Sequence, residues 1–258
     1  MTNGSGGTPP LATEITGRGG RVVLLHGFTQ TARCWGPLAT ALADHHEVVA
    51  VDLPGHGGSA TVEVEIEASA DLLADAGGAG TYVGYSMGGR FALRLALDRP
   101  DVVDRLVLIG ASPGLADPDD RAARRASDDA LAARVDAEGV AAFVHDWLAL
   151  ALFAGIPEEL RFEVERCTNS PAGLASSLRL AGTGAQEPLW DRLGQLTMPV
   201  LLVTGGDDVK FTAIAETMAT ALPHAEHVVI AGAGHTVHLE QPEATTAAVQ
   251  DWLALTGG

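Results

Sequence analysis

The sequence predicts an α/β fold: a mostly parallel, doubly wound sheet with a helical cap inserted into it. Three observations predict this. Short, nearly continuous apolar runs recur along the chain and end in Gly or turn residues. Helical stretches rich in Ala and Leu lie between most of them. One long stretch, residues 113–188, breaks that alternation and holds helical patterns only.

The apolar runs are residues 21–27 (RVVLLHG), 47–53 (EVVAVDL), 81–86 (TYVGYS), 105–110 (RLVLIG), 199–205 (PVLLVTG) and 227–232 (HVVIAG). Unbroken apolar character over so few residues suits strands covered on both faces, as in a parallel sheet. Helices are expected over residues 35–44, 69–76, 87–99, 212–222 and 242–255, the third stopped by Pro100. Strand and helix in alternation give a doubly wound sheet. Within 113–188 the helical patterns cover residues 119–136, 139–153, 157–168 and 171–181, punctuated by Pro and Gly at 113–114, 155–157, 170–171 and 182–184. The expected organisation is a flexible N-terminus over residues 1–19, a core from 20–112 and 189–258, and a cap insert over 113–188.

Bulk properties narrow the function classes. With 258 residues, 47% of them hydrophobic, the chain can bury one large domain, or one domain with an insert. A net charge of −17 argues against nucleic acid and anionic membrane surfaces as partners. An anionic substrate would therefore need a site that is locally basic. Cys34 and Cys167 form no C-x-x-C pair and read as free thiols. The first residues lack the basic and apolar regions of a signal peptide, and no run reaches the ~18 apolar residues of a membrane span. The expectation is a cytoplasmic protein without membrane insertion. For oligomeric state, monomer and homodimer both stay open.

The chemistry is expected around Gly84-x-Ser86-x-Gly88, which lies directly after a strand and opens a helix. In that context the pattern means a nucleophile elbow, where the glycines admit a strained turn and the serine oxygen stands free at the sheet's C-terminal edge. Such elbows are followed in chain order by an acid and then a histidine. Asp208, with Asp207 as the alternative, stands just past the fifth run, and His235 just past the sixth, with His238 as the alternative base. An imidazole can take the serine proton while a carboxylate fixes its tautomer. The segment LLHGF (24–28) adds a loop whose backbone can complete an oxyanion hole, making Phe28 and Met87 the expected N–H donors. His56, in DLPGHGGS (52–59), reads as a structural loop residue. No ligand-spaced His/Cys cluster and no dinucleotide loop occurs, so no metal or organic cofactor is expected.

Arg90 follows Ser86 by four residues, so the two lie near one face of the helix. A desolvated guanidinium needs an anion, either from the protein or from a substrate. The cap adds Arg121, Arg124, Arg125, Arg134, Arg161, Arg166 and Arg179, and an apolar pair at Phe143 and Trp147.

These parts together resemble the α/β-hydrolase superfamily over residues 20–258. Seven strings are more specific: GYSMGGRFAL (84–93), ASPGL (111–115), AARRASDDALA (122–132), FVHDWLALALF (143–153), ERCTNSPAGLASSLR (165–179), GTGAQEPLW (182–190) and GGDDVKF (205–211). They resemble the 2-succinyl-6-hydroxy-2,4-cyclohexadiene-1-carboxylate synthases of menaquinone biosynthesis, and several of them lie in the cap, the variable part of the fold. The resemblance implies a lyase that removes pyruvate from an enolpyruvyl-bearing cyclohexene carboxylate carrying a succinyl chain. It implies that Ser86, His235 and Asp208 act as a proton-abstracting base and form no acyl-enzyme. It also implies that a small polycarboxylate substrate meets Tyr85, Arg90, Arg124, Trp147 and Arg166, with Arg125 as the alternative to Arg124. The rival reading from the same residues is a serine hydrolase of esters, thioesters or C–C bonds.

Overall fold

The computed structural model describes residues 10–256. Seven strands form one sheet: β1 (Thr13–Gly17), β2 (Gly20–Leu25), β3 (His46–Val51), β4 (Gly80–Tyr85), β5 (Val103–Ile109), β6 (Val200–Gly205) and β7 (Ala225–Ile230). Their order across the sheet is β1-β3-β2-β4-β5-β6-β7, and every pair is parallel except β1 with β3. The central strands β4 and β6 are buried along their whole length, which is why they read as unbroken apolar runs. The core helices are α1 (Pro37–Ala43), α2 (Ala70–Gly77), α3 (Met87–Asp98), α8 (Val209–Ala221), α9 (Val237–Glu240) and α10 (Pro242–Thr256); between β5 and β6 come α4 (Pro118–Glu138), α5 (Val140–Leu148), α6 (Glu163–Arg166) and α7 (Pro171–Ala181).

The sheet separates two apolar layers. On one face α2, α3 and α8 cover Val23, Leu25, Leu106 and Leu202. On the other, α1 and α10 cover Val22, Leu24, Val107 and Val203. The alternation of neighbouring residues between the two layers is the period-two pleat of a strand. The insert has a core of its own, in which Ala132 and Val135 of α4, Phe143 and Val144 of α5, and Leu174 and Leu178 of α7 pack together.

Three expectations need correction. The flexible N-terminus drawn through residue 19 fails at residues 13–17, which form β1; residues 1–9 of that call lie outside the described residues. All five β1 residues are exposed, so this antiparallel edge strand carries no apolar run to betray it. At the opposite edge, β7 is largely half-buried or exposed and not covered on both faces. In the insert, residues 157–168 are not one helix. A short 3-10 turn at Glu158–Leu160 gives way to Phe162 at φ 51°, and only then to α6. No helix among the described residues is long and apolar enough to cross a membrane.

Candidate active site

The end of β4 runs straight into α3, and the single residue between them is Ser86, at φ 50° and ψ −109°. That conformation is uncommon for any residue with a side chain. It is held by two backbone bonds, from the Ser86 N–H to the Ile109 carbonyl (2.9 Å) and from the Arg90 N–H to the Ser86 carbonyl (3.2 Å). The flanking glycines make the turn possible. A Cβ on Gly84 would sit 2.6 Å from the Gly88 carbonyl oxygen, and one on Gly88 would strike the end of β2 at Leu25.

Two loops at the same sheet edge bring the partners. Asp208 caps α8, where its Oδ1 accepts from the Phe211 N–H at 3.2 Å. Its Oδ2 accepts from His235 Nδ1 at 2.8 Å, and His235 Nε2 lies 3.1 Å from Ser86 Oγ. With Nδ1–H committed to Asp208, Nε2 presents a lone pair to the serine hydroxyl. Asp207 is exposed and takes no part in this chain of bonds. Burial pushes the Asp208 carboxyl up, but the hydrogen bonds from His235 and the Phe211 N–H hold it below the ordinary carboxylate value. The loop bearing His235 is clamped by Glu240, whose two oxygens accept from the Gly234 N–H (2.6 Å) and the Thr236 N–H (2.8 Å).

His238 is buried against Trp35 and Tyr85, away from the serine, and burial lowers it to about 3. His26 and His56 are also fully buried and serve the loops. His26 joins the Gly27 carbonyl to the Leu53 N–H, and His56 joins the Pro54 carbonyl to the Thr29 N–H. Burial lowers them to about 4 and about 3. All three histidines are therefore neutral.

A cavity of about 370 Å³ opens above Ser86, floored by the core and roofed by the insert. Phe28, Tyr85, Ser86, Met87, Arg90, Arg124, Trp147, Arg166, Asp208 and His235 all line it, so folding brings every proposed site residue to one space. Met87 opens α3, and its N–H has no acceptor within the helix. The Phe28 N–H likewise meets no acceptor among the described residues. Tyr85 is buried with its hydroxyl 3.0 Å from Thr236 Oγ1. The Trp147 indole N–H is buried without a partner among the described residues.

The cations in this cavity differ in how they are compensated. Arg90 is 7% exposed and Arg166 is 2% exposed, and neither forms an ion pair with a carboxylate among the described residues. Arg90 Nη1 donates to Gln186 Oε1 at 3.0 Å, and Arg166 donates to the Arg161 carbonyl (2.8 Å) and to Thr29 Oγ1 (2.6 Å). Burial, and for Arg90 the nearby Arg124 charge, depresses both guanidinium pKa values, Arg90 to about 10; a guanidinium keeps its charge in proteins. Arg124 is 42% exposed and pairs with Asp128 one turn on, at 2.7 Å. Arg125 points elsewhere, with its Nη2 against the Ala185 carbonyl. Sequence reasoning missed Lys210 and Gln186. Lys210 lines the cavity beside Asp208 and lay within the string GGDDVKF, as Gln186 lay within GTGAQEPLW, but nothing in either string set that residue apart as a site residue. No cluster of three or more His, Cys, Asp or Glu among the described residues is placed to hold a metal ion.

The pattern that defines the alpha/beta hydrolase family matches residues 22–249. The chain belongs to that family. An Escherichia coli O1:K1 relative, a 2-succinyl-6-hydroxy-2,4-cyclohexadiene-1-carboxylate synthase, is 34% identical over 238 residues, covering 88% of this chain and 91% of its own. The solved structure of MenH from S. aureus superposes with a TM-score of 0.86 at 31% identity, over 95% of this chain and 99% of that one. A thermophilic esterase from Thermogutta terrifontis, solved with malate bound, reaches 0.82 at 30% identity over 95% and 93% of the two chains. This alpha/beta hydrolase thus has lyase and esterase relatives on nearly the same backbone.

Proposed function

We propose that this enzyme releases pyruvate from 2-succinyl-5-enolpyruvyl-6-hydroxy-3-cyclohexene-1-carboxylate to give 2-succinyl-6-hydroxy-2,4-cyclohexadiene-1-carboxylate, as the names of its relatives suggest. One observation carries the choice: Arg90 and Arg166 are buried guanidinium groups without carboxylate partners among the described residues, in the wall of the cavity that holds Ser86. In a chain of net charge −17, leaving two such charges uncompensated makes sense when a polyanionic substrate supplies the counter-charge. Bidentate Arg–carboxylate pairs then fix orientation as well as charge. Residues 113–188 act as the cap that carries this recognition, with Arg124 and Trp147 adding to it.

In this reading Ser86, freed of its proton by His235, takes a proton from a ring carbon. The ring electrons shift, the C–O bond to the enolpyruvyl group breaks with its electron pair going to oxygen, and the departing enolate takes up on its methylene carbon the proton that His235 held, becoming pyruvate. Water is not consumed and no acyl-enzyme forms. Asp208 steadies the imidazolium while His235 holds the proton. The Phe28 and Met87 N–H groups face negative charge as it develops on the substrate. Supplying the enolpyruvyl substrate to purified protein and following pyruvate with lactate dehydrogenase tests this directly. Release of pyruvate at the rate of substrate loss is expected; loss of a p-nitrophenyl ester with no pyruvate from the enolpyruvyl substrate would overturn it.

The second reading, a serine hydrolase, is favoured by the likeness to the esterase. It uses the same three groups with Ser86 as an acylating nucleophile. It gives the unpaired arginines a role only if the ester itself carries carboxylates.

A further inference from the structure

Thr29 stands next to Phe28 in a backbone conformation its residue type disfavours. It is fully buried and β-branched, yet it sits at φ 68°. That region suits glycine, and for a β-branched side chain it is a genuine outlier. Such a conformation persists only where its surroundings over-determine it. Here all three hydrogen-bonding groups of Thr29 are engaged. Its N–H donates to His56 Nε2 at 3.3 Å, its carbonyl accepts from Asn169 Nδ2 at 2.8 Å, and its hydroxyl accepts from Arg166 Nη1 at 2.6 Å.

Two of those three bonds come from the insert, and the third from the loop after β3. Asn169 is itself pinned: its Oδ1 accepts from the Gly57 N–H at 2.8 Å, and its Nδ2 also donates to the Arg166 carbonyl at 2.9 Å. Arg166 and Asn169 stand three residues apart, so one turn of the insert grips both the side-chain hydroxyl and the carbonyl of Thr29. The same Arg166 guanidinium lines the cavity.

We propose that Thr29 is a positioning residue through which the insert, by way of Asn169 and Arg166, sets the direction of the Phe28 N–H. The inference rests on the reading of Phe28 as an oxyanion donor. Relaxing φ at Thr29 would turn the Phe28–Thr29 peptide unit and, through the Phe28 Cα, shift the adjoining Gly27–Phe28 unit, moving the Phe28 N–H off the position where charge develops. An anion drawn to Arg166 is then coupled to the readiness of the hole, because both depend on one guanidinium. Recognition in the insert and chemistry in the core would share this single strained residue.

A donor that matters only when charge develops affects kcat and leaves KM alone. Asn169→Ala removes the bond to the Thr29 carbonyl and one to the Arg166 backbone carbonyl, but no side chain that lines the cavity. It should lower kcat by about tenfold or more with KM within about twofold, a loss of the size expected for a displaced oxyanion donor. The loss should appear both in pyruvate release from the enolpyruvyl substrate and in hydrolysis of p-nitrophenyl acetate. A wild-type protein that hydrolyses the acetate but releases no pyruvate defeats the lyase reading and still tests Thr29. The amide resonance of Phe28 in a 15N–1H spectrum provides a readout independent of any reaction, and it should move in Asn169→Ala. Thr29→Val should mimic this loss, and Thr29→Ser, which keeps the hydroxyl, should restore most of kcat. Thr29→Gly, which accepts the φ without strain, serves if Thr29→Val does not fold. Folded Asn169→Ala and Thr29→Gly proteins with wild-type kcat and an unmoved Phe28 amide would overturn the proposal, as would a change confined to KM.

Discussion

The floor and the roof of the cavity are built to opposite rules. On the floor, Ser86, His235 and Asp208 satisfy one another, and the loop that carries His235 is tied down by both oxygens of Glu240. That apparatus is complete without a ligand. Toward the roof, Arg166 of the insert and Arg90, reaching up from α3 to Gln186, are buried with only neutral partners among the described residues. In the proposed reading those groups are complete only when something anionic arrives. The difference teaches a division of labour. In the proposed reading, reactive groups are preorganised by the protein itself, whereas recognition groups are left with a deficit that the right substrate fills.

The largest effect should come from breaking the floor. Ser86→Ala or His235→Ala should cut kcat by about 10³-fold or more on any substrate, with the melting temperature little changed. A steady-state assay beside a thermal melt checks both halves. Next comes the roof. Arg90→Ala should lower kcat/KM for the enolpyruvyl substrate by about 10²-fold, yet leave hydrolysis of a neutral p-nitrophenyl ester within about threefold. Equal losses on the two would mean that Arg90 belongs with the floor. Arg90→Met should also raise the melting temperature by a few degrees, roughly, because it removes a desolvated charge. Arg124→Gln should cost less than Arg90→Ala, about tenfold in KM, since that side chain already has Asp128 and water around it.

Acid sensitivity sharpens the same contrast, for the loops that shape the floor rest on neutral histidines. His26, His56 and His238 titrate near 4, 3 and 3 when folded, below the ordinary value of 6.5. Below pH 6.5 the unfolded chain therefore binds protons that the native state refuses. Stability is full above that value and declines as pH falls toward the folded values. Urea midpoints measured from pH 7 to pH 4.5 should fall steadily, and His56→Asn should reduce that slope by about one proton. The smallest effect is expected of Arg125→Ala, which should change kcat/KM by less than about twofold because the side chain faces away from the cavity.

Much of the floor was legible because its signals are local. The elbow lies within five residues, and the acid and base follow in the order and at the strand ends that the fold requires. The interior strands were legible because burial on both faces writes a continuous apolar run. β1 was not, because an exposed antiparallel edge strand needs only backbone partners, and TEITG offers no apolar pattern. The roof was legible only as a set of arginines without addresses. Neighbouring Arg124 and Arg125 differ by one helical step, yet one lines the cavity and the other meets the Ala185 carbonyl. Gln186 reaches Arg90 across 96 residues of sequence, a pairing that no local pattern encodes. Thr29 runs against its own backbone preference, so a sequence reading would have assigned it an ordinary extended conformation.

The two bare guanidinium groups have a practical consequence for anyone handling this protein. A cavity that holds unneutralised charge is a sink for whatever polyanion the solution offers, and binding to the native state alone raises apparent stability by mass action. Citrate, malate or sulfate in a buffer should therefore act as a ligand and not as an inert salt. A melting curve recorded in such a buffer describes the complex. The same curve in a monovalent-salt buffer of equal ionic strength should lie lower, and the gap between them should close in Arg90→Met.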